Sequence, residues 1–299
     1  MSLVLKNVSK TFVGKKAVEN ISFSLEKPGV YGLLGTNGAG KTTTIRMLLG
    51  IIKKDSGEIT WKGKPVDRKN VNFGYLPEER GVYPKTKIFD QLMYFAELKG
   101  MKKKEAVNSI NKWAKELKVE EYLQMPAEKL SKGNQQKIQF ITAILNQPKL
   151  LILDEPFSGL DPFNVELFKK EIVEMSKNGS IIIFSSHRME HVELFCKKLV
   201  IILKGKTVLE GYLSDIKEKY RKKDIFIKGD VSKKELEQIP GVVEVIEKAD
   251  ELEVKIESKE IASKVFDVVS KSKNITKFMI EEPSLNEIFV SKVGESFEK

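Results

Sequence analysis

Eight consecutive residues carry the strongest chemical signal in the chain. Gly35-Thr36-Asn37-Gly38-Ala39-Gly40-Lys41-Thr42 follows the spacing G-x-x-x-x-G-K-[ST]. Glycines in such a loop let backbone N–H groups close around phosphate oxygens. The helix expected at Thr42–Leu49 adds unpaired N–H groups and a positive dipole end. Lys41 brings a mobile positive charge to the outer phosphates, Thr42 a hydroxyl for Mg²⁺, and Thr43 extends the phosphate-facing set. The pattern arises by chance in roughly one chain of this length per hundred. By itself it specifies a nucleoside triphosphate and does not choose between a GTPase, a kinase and an ATPase.

A second signal is an apolar run ending in two acids, Leu150-Leu151-Ile152-Leu153-Asp154-Glu155. A strand of this kind delivers Asp154 toward a loop-bound Mg²⁺. Glu155 beside it is placed to orient or deprotonate an attacking water. A third segment, His187-Arg188-Met189-Glu190-His191, matches the zinc-peptidase spacing H-x-x-E-H. It directly follows the apolar run Ile181–Phe184, where an ATPase needs a γ-phosphate sensor. The zinc reading is therefore rejected, and His191 is expected on a helix surface.

The elements that must position these residues read as alternating strands and helices. Leu3–Val8 and Ile21–Leu25 alternate like half-buried strands, and Val30–Leu34 is a buried strand feeding the glycine loop. Further strands are expected at Gly57–Lys62, Phe73–Leu76, Leu150–Leu153, Ile181–Ser185, Val200–Leu203 and Thr207–Leu209. Helices are expected at Asn164–Ser176 and Met189–Phe195. Together they predict a mostly parallel α/β sheet. The stretch from about 87 to 146 is helical throughout, broken near Gly100, and reads as an inserted subdomain. A charge-rich segment, Lys217–Lys223, precedes a unit whose pattern βαββαβ suggests a ferredoxin-like sandwich, closed by a short helix Leu285–Val293.

Composition bounds the setting. The 299 residues carry a net charge of +10, divided as +12 over residues 1–220 and −2 from Arg221 onward. The first part therefore attracts anions such as nucleotide phosphates, nucleic acid or an anionic membrane face. One cysteine, Cys196, permits no internal disulfide and fits a reducing compartment. The N-terminus lacks a signal-peptide layout, and no apolar run approaches the ~20 residues that span a bilayer. A membrane role would have to run through a partner.

Further segments, taken with these, resemble the ATP-binding cassette ATPases across about residues 1–215. Leu130-Ser131-Lys132-Gly133-Asn134-Gln135-Gln136 resembles their signature motif. Pro156-Phe157-Ser158-Gly159-Leu160-Asp161 resembles their D-loop, and Ser185-Ser186-His187 their switch histidine. Phe12 stands where the family places an aromatic that stacks on adenine. The resemblance implies a P-loop NTPase with a RecA-like core, a helical subdomain and an antiparallel β subdomain, followed by a small α+β ferredoxin-like domain. It implies ATP and Mg²⁺ as cofactors and a head-to-tail homodimer, or a heterodimer with a second cassette subunit. Gly35–Thr42 of one subunit would then face Ser131, Gly133, Asn134 and Asp161 of the other. Ser131 is also a good helix N-cap by its own chemistry. Two departures matter: Lys132 and Asn134 replace the usual Gly and Gln, and Glu78 replaces the usual Gln after the proline of Phe73-Gly74-Tyr75-Leu76-Pro77. A carboxylate at Glu78 still ligates metal but adds negative charge beside a γ-phosphate.

Within the family three classes compete. A tandem translation-factor type needs two phosphate loops, and this chain has one. A chromosome or repair type needs sustained heptads between its nucleotide motifs, and residues 43–129 have none. A transporter motor remains, with a separate integral-membrane permease as partner, no nucleic acid, and a cytoplasmic position on the inner face of the membrane. The soluble cassette acting on ribosomes or nucleic acid is the alternative. The stretches Leu76-Pro77-Glu78-Glu79-Arg80-Gly81 and Pro283-Ser284-Leu285-Asn286-Glu287-Ile288-Phe289 resemble the sodium-extrusion, Nat-type branch of the ABC-2 group. The domains expected are 1–215 for the ATPase and 224–299 for an accessory domain, and the function expected is ATP-driven export, with Na⁺ as one cargo.

Overall fold

The computed structural model describes residues 2–67, 70–79, 81–220, 224–281 and 284–295. The chain divides into two units, residues 1–213 and 214–299.

In chain order the first unit opens with a hairpin, β1 (Leu3–Phe12) and β2 (Lys15–Leu25), then β3 (Gly29–Leu34), the glycine loop and α1 (Lys41–Leu48). Three strands follow: β4 (Ser56–Trp61), β5 (Lys64–Pro65) and β6 (Phe73–Leu76). The helical insert comprises α2 (Ile88–Leu98), α3 (Lys103–Glu116) and α4 (Lys132–Ile144). The chain returns through β7 (Leu150–Asp154), α5 (Pro162–Lys177), β8 (Ile181–Ser186), α6 (Met189–Glu193), β9 (Lys198–Leu203) and β10 (Lys206–Tyr212), which leads into α7 (Leu213–Lys219).

The central sheet runs β10-β9-β3-β8-β7-β6, parallel except for the β9–β10 hairpin. Its middle strands are apolar at nearly every position because both faces are covered; all five residues of β7 and all six of β8 are buried. A separate antiparallel sheet, β2-β1-β4-β5, packs its alternating face (Leu3, Leu5, Ile21, Phe23) against α1 and the core sheet through one apolar cluster. This is the mostly parallel sheet that the strand–helix pattern predicts, with the antiparallel β subdomain that the family resemblance implies. In the insert, Phe140 of α4 stacks on Phe168 of α5 with ring centroids 4.4 Å apart, both fully buried. That contact ties helical subdomain to core.

The second unit contains β11 (Asp224–Asp230), α8 (Lys233–Glu237), β12 (Val242–Glu247), β13 (Leu252–Ile256), α9 (Lys259–Val269), β14 (Lys273–Ile280) and α10 (Leu285–Glu295). Its antiparallel order β12-β13-β11-β14 is the ferredoxin-like order expected from βαββαβ.

Three sequence expectations need correction or limits. The first hairpin is longer than Leu3–Val8 and Ile21–Leu25. Three register shifts along β1 break the two-residue alternation after Leu5, so the pattern fades while the pairing continues. The charged separator Lys217–Lys223 is helical in its first half, because Ile216 buries one face of α7. Residues 221–223, Arg80, Pro283 and 296–299 lie outside the described residues. Among the described residues no helix is long and apolar enough to cross a membrane.

Candidate active site

Strands β3, β7 and β8 place the chemistry. Leu34 stands opposite Ser186, and Asp154 opposite Ser185, in parallel register. The glycine loop, the acid pair and the Ser185-Ser186-His187 segment therefore leave the sheet together at its carboxyl edge, where open α/β sheets bind ligands.

The loop's glycines are required by space as well as by φ. At Gly35 (φ 155°) a Cβ would sit 2.3 Å from the Ile202 carbonyl, and at Gly40 (φ 107°) 2.7 Å from the Ala17 carbonyl. Lys41 starts α1 and is 7 % exposed. Its Nζ donates to the Gly35 carbonyl at 2.8 Å and the Thr36 carbonyl at 3.2 Å. Burial pulls its ammonium below the usual lysine range, opposed by the charges of Glu155, Asp154 and Glu78.

Asp154 ends β7 and is 1 % exposed. Ser185 Oγ donates to its Oδ1. Its Oδ2 is buried without a hydrogen-bond partner among the described residues. Burial raises its pKa against the pull of the Ser185 and Thr42 hydroxyls and of Lys41. A buried, unsatisfied carboxylate oxygen beside a hydroxyl and the Glu78 carboxylate suits Mg²⁺, which takes few protein oxygens and fills its octahedron with phosphate and water. Thr42, Asp154 and Glu78 would hold it.

Glu155 sits in the left-handed region at φ 50°, a cost of about 1–2 kcal/mol for a non-glycine residue. Three donors fix its carboxylate. The His187 backbone N–H and ring Nδ1 each lie 2.7 Å from Oε1, and Ser186 Oγ donates to Oε2 at 3.2 Å. A carboxylate held this way at a strand exit keeps one orientation for a water. The surrounding cleft, about 690 Å³ with its open mouth, is lined by Ala17, residues 37–43, Glu78, Asp154 and Glu155. Glu78 lines this cleft together with Thr42 and Asp154.

The remaining predicted residues lie elsewhere. Ser131 caps α4, accepting from the Asn134 N–H at 3.2 Å, with Lys132 and Gly133 in the first turn. Gly133 faces the D-loop, where its Cβ would meet Leu160 and Gly159 at 3.7–3.8 Å. Asp161 caps α5, accepting from the Asn164 N–H at 2.9 Å. Ser131, Lys132, Gly133, Asn134 and Asp161 do not line the cleft of their own chain. Gln136 of α4 donates to the Pro156 carbonyl at 3.2 Å, linking the signature helix to the loop after Glu155. Phe12, at the exposed end of β1, lies under the Lys10 ammonium at 5.3 Å.

His191 lies on the short helix α6 as expected, half-buried, with one edge packed against Phe157 at 5.1 Å. Since α6 begins at Met189, His187 is not on the helix that carries His191. The i,i+4 pair needed for zinc is not formed. Sequence reasoning overlooked Ser185 and Ser186 as carboxylate partners; the signal was two hydroxyls ending an otherwise apolar strand.

Comparison with known proteins places this geometry in a family. The model of the family "ABC transporter" matches residues 18–158, and that of "ATP-binding protein DrrA1-3-like, C-terminal domain" matches residues 211–293. The chain is 48 % identical over 297 residues to the uncharacterized ABC transporter ATP-binding protein YhaQ of Bacillus subtilis, covering 99 % of this chain and 100 % of that protein. It is 29 % identical to the linearmycin resistance ATP-binding protein LnrL of the same organism, over 98 % of each. It is 32 % identical to the ABC transporter ATP-binding protein NatA, also of Bacillus subtilis, over 75 % of this chain and 94 % of that one. A solved ATP-binding subunit of an ABC transporter superposes with TM-score 0.69 at 28 % identity, over 74 % of this chain and 93 % of that one. The chain belongs to the ATP-binding subunits of ABC transporters, ATPases that use ATP with Mg²⁺ and work as dimers with a membrane permease, and it carries a DrrA1-3-like C-terminal domain.

Proposed function

We propose that this subunit drives export, with two copies, or one copy and a second cassette subunit, closing head to tail around ATP. The observation that carries this reading is the division of the site. Lys41, Thr42, Asp154 and Glu155 share one cleft, whereas Ser131, Gly133 and Asn134 stand at the N-terminus of α4, outside it. That helix end offers unpaired N–H groups, a positive dipole and Lys132 to an anion arriving from another chain.

In this reading Lys41 exchanges the Gly35 and Thr36 carbonyls for phosphate oxygens, and Phe12 offers its open ring face to adenine. Thr42, Asp154 and Glu78 hold the metal, which neutralises phosphate charge when bound. Glu155, oriented by His187, directs water at the terminal phosphate. Asp161 and the signature residues complete the site from the partner. Loss of the terminal phosphate removes the bridge between subunits, and Gln136 passes the change from the Glu155 loop to the helical subdomain.

Export is supported by LnrL, a protein named for resistance that matches this chain along its whole length. Sodium as cargo rests on the likeness to the Nat-type branch. The reading places the subunit on the cytoplasmic face, held there by its permease.

The test is light scattering on Glu155→Gln protein at submicromolar concentration, with and without ATP and Mg²⁺. Slowed hydrolysis traps a closed pair, so the mass doubles with nucleotide. A mass that stays monomeric with saturating ATP contradicts the shared site.

A further inference from the structure

Among the described residues the sheet of the C-terminal unit ends on two edge strands, β12 and β14. β14 (Lys273–Ile280) is the outer strand beside β11. The Glu281 N–H donates inward to the Asp224 carbonyl at 3.1 Å. By the two-residue alternation of an antiparallel ladder, Met279 and Lys277 also face β11, while Ile280, Phe278 and Thr276 turn their backbone groups outward. Along this edge Met279 and Ile280 are each 39 % exposed. On α9, Phe266 is 51 % exposed and packs edge-on against Phe278 at 5.0 Å. An edge strand of eight residues, four of them apolar (Ile275, Phe278, Met279 and Ile280), presents backbone groups to which another strand can pair.

We propose that a second copy of this chain covers this edge, with β14 pairing antiparallel to β14 so that two four-stranded sheets join into one of eight. The inference rests on the reading of the chain as one half of a cassette pair, which keeps a second copy at hand. Self-pairing about a two-fold axis closes after two chains. Only registers that set outward-facing residues against each other form the ladder, and the register centred on Lys277 is one of these. It sets Thr276 against Phe278 of the partner subunit and Ile275 against Met279 of the partner subunit. It also sets Lys273 against Glu281 of the partner subunit, twice by symmetry, so opposite charges meet at both ends. At the centre, Lys277 is already paired with Glu251 of its own chain at 2.8 Å.

The opposite edge suits this role less well. β12 (Val242–Glu247) has six residues and an irregular register between Val242 and Glu244. Its outer positions include Glu244, already paired with Lys255 of its own chain at 2.7 Å, and Glu247, and it has no opposite charge to set against them. Pairing β12 with β14 is heterologous and would grow filaments rather than close.

The test is disulfide capture in the nucleotide-free full chain. Lys277→Cys places two thiols in a non-hydrogen-bonded pair at the two-fold axis, with Cβ atoms about 4.5–5.5 Å apart. The native Cys196 is buried and stays apart. Mild oxidation is expected to convert most Lys277→Cys protein to covalent dimer and to leave wild type and Val243→Cys monomeric. A second variant, Thr276→Pro, removes an outward N–H; because it also removes the bond from the Thr276 hydroxyl to the Lys228 carbonyl at 3.3 Å, Thr276→Ala is its control and should associate as wild type. Thr276→Pro is expected to weaken nucleotide-free self-association in sedimentation velocity about tenfold or more. Absence of the Lys277→Cys dimer, equal capture through Val243→Cys, or unchanged association of Thr276→Pro overturns the proposal. ATP-driven pairing of the Glu155→Gln protein, measured in the same background, separates that outcome from failure of the cassette reading.

Discussion

In the proposed mechanism His187 holds the carboxylate that directs water, and its truncation should therefore slow chemistry without loosening nucleotide. In His187→Ala the backbone N–H at 2.7 Å and the Ser186 hydroxyl at 3.2 Å remain on Glu155, while the ring donor at 2.7 Å is lost. A hydrogen bond to a charged group contributes about 1.5–3 kcal/mol. Converted at 1.36 kcal/mol per decade, that is roughly a 10- to 150-fold fall in kcat. The ring is 53 % exposed, so water competes for the contact and the lower part of that range is expected. Phosphate release under steady state gives kcat and KM together. The expected result is a KM for ATP within about twofold of wild type, because the interaction acts in the chemical step. A KM raised tenfold with kcat intact would refute the reasoning and make His187 a nucleotide contact instead.

Glu78→Gln should retain ATP binding within about threefold while raising the Mg²⁺ concentration for half-maximal hydrolysis severalfold, because a charged oxygen leaves the metal's surroundings; a magnesium titration checks this, and loss of ATP binding would contradict the placement of Glu78 in the cleft. Lys99 carries an ammonium that burial lowers to about 8 from the usual 10.5. The unfolded chain then binds more protons between those values, so stability rises as pH climbs through that window, and the charged form penalises the fold below it. Lys99→Met, which also gives up the bonds to the Ala143 carbonyl and Asn146 side chain, should flatten the rise of Tm between about pH 8 and 10 that wild type shows. Val13 adopts φ 43° in the Val13-Gly14 turn of the first hairpin and is fully exposed. Such turns prefer Asn at that position, so Val13→Asn should add about 1 kcal/mol, read from the urea midpoint.

The parts of the site legible in the sequence are those built from neighbouring residues. A phosphate loop is contiguous because one strand–turn–helix makes it, and Asp154-Glu155 is visible because an apolar strand ends abruptly in charge. The partners of those acids are not legible. Ser185 and Ser186 reach Asp154 and Glu155 across 31 positions of sequence, and only the register of β7 beside β8 brings them there. The ferredoxin-like order of the second unit followed from element succession alone, since βαββαβ with short links has few un-knotted solutions. The hairpin ends were hidden by the register shifts of β1, which take successive side chains off a strict two-residue period. The contact of His191 with Phe157 was not legible, because Phe157 reaches it from a distant loop.

The claim that one catalytic site is assembled from two chains is tested most directly by mixing two defective copies. Lys41→Ala removes the phosphate-loop charge, and Ser131→Arg blocks the signature end of α4; each alone should leave every site defective. In a mixed head-to-tail pair both defects fall on one site, and the other site is built from intact halves. Half of randomly formed pairs are mixed, so an equimolar mixture should recover about one quarter of the wild-type ATPase rate. A mixture no more active than its two parents would contradict the account.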